Sequence, residues 1–142
     1  MTLTQTKTEY LTEAMIEQVN DLWKVNSIES GRSFYPRLSY KVAKKYIKVL
    51  QGRVNSDGSY ETEGVFMFID KETGAVYKPA SYKAPAKGIR FFIESLAQYP
   101  GLVDPYGSFL YVRWTYEVRL LLTSKLLHLY QPHLNHEILT DD

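Results

Sequence analysis

The sequence predicts an α+β domain in which a three-stranded antiparallel β-meander packs against an N-terminal helix, a short middle helix and a long C-terminal helix. Three observations carry this. Apolar residues recur at helical spacing at both ends of the chain. The central run Gly64–Asp70 is apolar on both of its alternating faces, and two strong turn signals flank it, Asn55-Ser56-Asp57-Gly58 and Asp70-Lys71-Glu72-Thr73-Gly74.

In the N-terminal segment, from Thr8 to Asn26, Leu11, Met15, Val19, Leu22 and Trp23 form an apolar stripe. Glu9, Glu13, Glu17 and Asp21 occupy other faces, and Thr8 is the expected N-cap. Ser27 to Pro36 contains Ser30-Gly31 and Tyr35-Pro36 and is expected to be a loop or an irregular crossing. Residues 41–54 fit either one helical face or a strand. The turn that follows favours a strand from about Lys45 to Arg53. Gly64–Asp70 is the central strand, Asp70 is placed to bond its own downstream backbone in the turn, and Ala75–Lys78 is the third strand. Pro85 is expected to open the middle helix, running through Ile89, Phe92, Ile93 and Leu96. From about Thr115, Val118, Leu121, Leu122, Leu126 and Leu129 predict the long C-terminal helix, ending near Pro132.

A chain of 142 residues without repeats or linkers is expected to form one domain over residues 1–142. It has no cysteine, which removes disulfides, thiolate metal sites and cysteine nucleophiles together. The N-terminus lacks an apolar signal-like run, and no stretch is long and apolar enough to span a bilayer, so the expected location is intracellular with no membrane partner.

The net charge of +1 is unevenly distributed. Residues 1–31 carry Lys7 and Lys24 against five acids, residues 32–93 carry twelve Lys and Arg against five acids, and residues 94–142 carry three basic residues against six acids. A basic middle between acidic ends implies either an anionic partner or an internal match in which the ends cover the middle.

The basic middle divides into two acid-free stretches. Thr73 to Ile93 holds Lys78, Lys83, Lys87 and Arg90 with Tyr77, Tyr82, Phe91 and Phe92 close by. A helix opening at Pro85 would set Ser81, Lys83 and Lys87 around its positive end, an arrangement suited to phosphate or carboxylate. Residues 32–53 add Arg32, Arg37, Lys41, Lys44, Lys45, Lys48 and Arg53, interleaved with Tyr35, Tyr40 and Tyr46. Cations with aromatic platforms suit nucleic-acid binding, since lysines neutralise phosphates and rings stack on bases. The candidate anion-binding residues are therefore Lys41, Lys44, Lys48, Lys78, Ser81, Lys83, Lys87 and Arg90, with Tyr40 and Tyr82 as candidate stacking residues. The competing reading makes the rings core, the lysines solvated edge residues and Lys83–Gly88 a rigid connector.

Other constellations carry less. His128, His133 and His136 fit no standard zinc spacing, and no metal or other cofactor is expected. His136-Glu137 lacks the second histidine of a zinc-protease helix, Glu61 and Glu63 are expected to be solvated, and no phosphate loop, dinucleotide fingerprint or nucleophile elbow occurs. No acid, base and nucleophile set can be assembled, so no enzyme is expected. The leucine-rich helix is either the central packing helix or, in part, a partner or homodimer surface.

Phe68-Ile69-Asp70-Lys71, Thr73-Gly74, Val76-Tyr77-Lys78, Ala80-Ser81, Lys83 to Gly88 and Arg90, followed by Asp104-Pro105-Tyr106-Gly107, make a segment that resembles one in small, uncharacterised proteins of tailed bacteriophages. Phe91-Phe92 departs from that pattern, where a small or polar pair often follows the arginine. The resemblance implies a context, the cytoplasm of an infected bacterial cell or the virion, and no mechanism. Three functions are compatible with these readings. One is a non-enzymatic accessory protein binding nucleic acid or another polyanion. The others are a protein-binding modulator of a host or defence factor and a small virion component.

Overall fold

A computed structural model describes residues 6–111. Helix α1 (Lys7–Glu29) is followed by β1 (Tyr35–Val42), β2 (Tyr46–Val54), β3 (Tyr60–Asp70), β4 (Ala75–Tyr77), β5 (Phe91–Phe92) and α2 (Ile93–Gln98). Short 3-10 turns follow at Pro100–Leu102 and Ser108–Tyr111. The strands form one antiparallel sheet in chain order, so the predicted three-stranded meander is corrected to five strands. The predicted long C-terminal helix, and with it the homodimer surface and the three histidines, lies outside the described residues.

α1 is capped by Thr6 and not by the expected Thr8: the Thr6 hydroxyl accepts the Glu9 N–H at 3.1 Å, while Thr8 is buried. The helix runs to Glu29, entering only the first residues of the segment expected to be a loop or an irregular crossing. It stops only where Gly31, at φ +79°, permits a left-handed turn, with Gly31 N–H bonding Ile28 O and Arg32 N–H bonding Ser27 O. Met15, Ile16, Val19 and Trp23 face the sheet and meet Leu38, Ile47, Val49, Met67, Ile69 and Val76 in the core.

β1 is the strand that the sequence reading lost. Its signal is a period-two alternation, Leu38 inward against Arg37, Ser39 and Lys41 outward, obscured by Pro36. Proline is tolerated there because β1 is an edge strand. Its outer edge is partly closed by α1: Asn20 Oδ1 accepts the Leu38 N–H at 2.7 Å and Asn20 Nδ2 donates to the Leu38 carbonyl at 3.0 Å. One side chain thus satisfies the two backbone groups that a further strand would have used. A second tie runs from Trp23 Nε1 to the Val103 carbonyl at 3.0 Å, fixing the 3-10 turn against the same helix.

β3 shows two register shifts against β2, between Val49 and Leu50 and between Gln51 and Gly52. Val49 pairs with Met67 and Leu50 with Val65, so Phe66 is the extra residue of the first bulge. Strict alternation would put Phe66 with Phe68. The bulge turns it into the α1-side core with Met67, edge-on to Trp23 at 5.9 Å between ring centroids.

The middle helix is also corrected. Residues 79–85 form a small hairpin, with Pro79 bridged to Pro85, Ala80 N–H bonding Ala84 O and Ala86 N–H bonding Lys78 O. Proline at 85 drives Ala84 to extended backbone. Gly88, at φ +98°, breaks any helix begun at Pro85, so Phe91 and Phe92 pair with β4 and the helix starts only at Ile93. The Asp70 turn forms as expected, with Asp70 Oδ1 accepting the N–H groups of Glu72 at 2.8 Å and Thr73 at 3.0 Å.

Two outcomes follow. Asn20→Ala leaves two partly buried backbone groups without their partner and should cost about 1–3 kcal/mol in urea unfolding. The Thr73 N–H bond, the larger favourable influence, holds the Asp70 carboxyl below its ordinary value against partial burial. Its contribution is therefore complete above the unfolded carboxylate pKa and is lost as pH falls through the lower folded value. Thermal melts of Asp70→Asn should fall less steeply than wild type through that acid range.

Candidate nucleic-acid interface

α1 covers one face of the sheet, and strand alternation puts Lys48 on the other, since its neighbours Ile47 and Val49 are in the α1-side core. Lys41 of β1 lies directly opposite Lys48, and Phe68 of β3 flanks it on the other side, with Tyr77 of β4 beyond. This outward row is Lys41, Lys48, Phe68 and Tyr77. Phe68 is 2% exposed although it stands outside the main core cluster. The ring of Tyr46 packs edge-on against both Phe68 and Tyr77, at 5.9 Å and 6.2 Å between centroids.

The 79–85 hairpin completes this face. Tyr82 lies near its tip, and the Lys48 ammonium is 4.0 Å from the Tyr82 ring centroid and 5.8 Å from that of Phe68. Lys45 at 5.3 Å from the Tyr46 centroid continues the pattern. These are cation–π contacts that hold lysines over rings without neutralising them. Among the described residues, no acid lies within ion-pair distance of Lys41, Lys44, Lys48, Lys83 or Lys87. The ion pairs Lys7–Glu94 and Arg53–Glu61 lie elsewhere.

The predicted residues distribute as follows. Lys41 and Lys48 are cross-strand neighbours, Lys44 is exposed in the β1–β2 turn, and Ser81, Tyr82 and Lys83 form the hairpin tip. The Ser81 hydroxyl accepts the Lys83 N–H at 3.2 Å and so shapes the tip. The helix N-terminus expected to gather Ser81, Lys83 and Lys87 is absent, because no helix starts at Pro85. Lys87 is exposed on the return path, and Arg90 is partly buried with its N–H bonding Val76 O. Lys78 is turned to Tyr111, its ammonium 4.5 Å from the ring centroid.

Tyr40 is not on this face. It packs against the α1-side core and donates its hydroxyl to Glu13 Oε2 at 2.9 Å. Burial, and then the Glu13 carboxylate, push the phenol above its ordinary pKa. Tyr60 was missed by the sequence reading, which named Arg37 among the cations of residues 32–53 but not among the candidate binding residues: the Tyr60 hydroxyl reaches the Arg37 carbonyl at 3.3 Å and Ser39 Oγ at 3.2 Å, extending the outward face along β1. The alternation Arg37, Ser39, Lys41 is the signal that marks the β1 side of this contact.

A second feature lies on the α1 side. An open cleft of about 1120 Å³ runs between the C-terminal half of α1, the β1–β3 end of the sheet and residues 98–106. Trp23, Phe34, Pro100 and Tyr106 line it together with Arg32 and Arg53.

Lys41 and Lys48 place like charges directly opposite one another, which costs stability. Lys41→Glu should therefore raise stability by roughly 0.2–1 kcal/mol at low salt. Denaturant titrations should show the gain shrinking at high salt.

No curated protein and no solved structure matches the chain. A family profile described as a family of unknown function, DUF7717, matches residues 2–112, a span that contains every strand and helix described above. The chain belongs to the DUF7717 family.

Proposed function

We propose that this is a non-enzymatic binding protein that holds nucleic acid or a similar polyanion on the outward face of its sheet. The observation that carries this is the pair of lysines Lys41 and Lys48 directly opposite one another, with Lys44 in the adjoining turn and Lys83 next in sequence to the Tyr82 that Lys48 touches, all left without acidic partners among the described residues. Like charges set side by side work against folding, and a polyanion is the partner that reverses their sign of contribution. The acidic side chains of α1 do not neutralise them, because α1 packs on the opposite face. The bacteriophage resemblance supports an accessory role in an infected bacterial cell, where such a ligand is abundant.

A second reading has its own observation. Leu22, Val25, Ile28, Phe34 and Tyr106 are exposed apolar residues on α1 and around the cleft, which suits a protein partner. Val25→Glu would remove a stoichiometric co-purifying protein under this reading and leave polyanion binding unchanged.

The polyanion reading is tested by fluorescence anisotropy with labelled oligonucleotides across a salt series. Binding at low salt should weaken with a slope of log K on log salt of about −2 to −4, the range for a few neutralised phosphates. Replacing the exposed Lys41, Lys44 and Lys83 by Gln should flatten that slope and weaken binding at least about ten-fold. Absence of binding at low salt, or binding indifferent to these substitutions, overturns the proposal.

A further inference from the structure

We infer that the outward face takes single-stranded nucleic acid, with a base stacked on the free side of the Tyr82 ring. This rests on the polyanion reading and specifies its ligand. Tyr82 is a large aromatic residue 56% exposed near the tip of a hairpin that is pinned by three backbone hydrogen bonds and two prolines. An exposed ring on a loosely held loop would carry no ligand information. Here its position is set twice, once by the hairpin and once by Lys48, whose ammonium lies 4.0 Å from the ring centroid.

That contact occupies one π-face and leaves the remaining exposure to solvent. The ring therefore stands on the lysine as a fixed platform, with Lys83 next in sequence and Lys41 across from Lys48. A base can reach such a platform only when it is unpaired and turned out from its own stack, which single strands allow and duplexes resist. The lysines then meet the phosphates on either side of the stacked base. Duplex DNA would engage the lysines and leave the ring unused, and a base-free polyanion would do the same.

The test compares four probes on the whole chain at one low salt concentration: a short oligothymidylate, its RNA counterpart, an abasic oligonucleotide of the same length, and a duplex. The proteins are wild type, Tyr82→Ala and Tyr82→Phe, each checked by thermal melting, since an exposed tip residue should leave the melt unchanged. Wild type should prefer base-bearing single strands over the abasic strand and the duplex. Tyr82→Ala should lose that preference, weakening base-bearing strands roughly ten-fold with no effect on the abasic probe. Tyr82→Phe, which keeps the ring, should retain it. The tighter of the DNA and RNA probes identifies the sugar.

Equal losses on abasic and base-bearing probes, or a duplex preference, would overturn the stacking inference while the polyanion reading stands. Failure of all four probes to bind would overturn both.

Discussion

One helix can cover only one face of a five-stranded sheet, and that limit organises the molecule. α1 takes the face presented by Leu38, Ile47, Val49, Met67, Ile69 and Val76, and the Asn20 pair with Leu38 and the Trp23 bond to Val103 fix where it lies. Whatever alternates with those residues faces away. On β2 these are Tyr46 and Lys48, on β1 Arg37, Ser39 and Lys41, on β3 Phe68. Among the described residues, the second face therefore carries no second helix. Rings form its floor, lysines cover the rings through cation–π contacts, and the 79–85 hairpin supplies the last ring.

The bulge at Phe66 contributes to both faces. Without the extra residue, Phe66 would stand outward beside Phe68 and the α1-side core would lose the ring that bridges Trp23 and Phe109, 5.8 Å from the latter. With it, Phe68 is the one phenylalanine of the pair left for the outward floor. A bulge is a local insertion with a side-chain consequence: it moves a large apolar group across the sheet while the ladder resumes on either side.

Charge separation along the chain becomes charge separation across the fold. α1, with Glu9, Glu13, Glu17 and Asp21, packs on one side of the sheet while Lys41 and Lys48 face the other and Arg53 lines the α1-side cleft, so among the described residues the near-neutral total conceals an uneven surface. Such a surface orients an approaching polyanion even when the net charge is small. Tyr40 shows the division at one position: adjacent to Lys41 in sequence, it points the other way and bonds Glu13.

The sequence by itself determined the N-terminal helix, the central strand Gly64–Asp70 and the turns at Asn55–Gly58 and Asp70–Gly74, because helical spacing, alternation and turn chemistry act over a few neighbouring residues. It also marked Lys41, Lys48, Tyr82 and Lys83. Only the tertiary structure decided the rest. β1 depends on an edge position that tolerates Pro36 and on Asn20 from a distant helix. β5 depends on β4 offering a free edge to Phe91 and Phe92 once the 79–85 hairpin and the turn at Gly88 have brought the chain back. The grouping of Lys48 with Tyr82 joins residues far apart in sequence through a hairpin laid over the sheet. Each of these outcomes is completed by partners many residues away, which local pattern alone does not name.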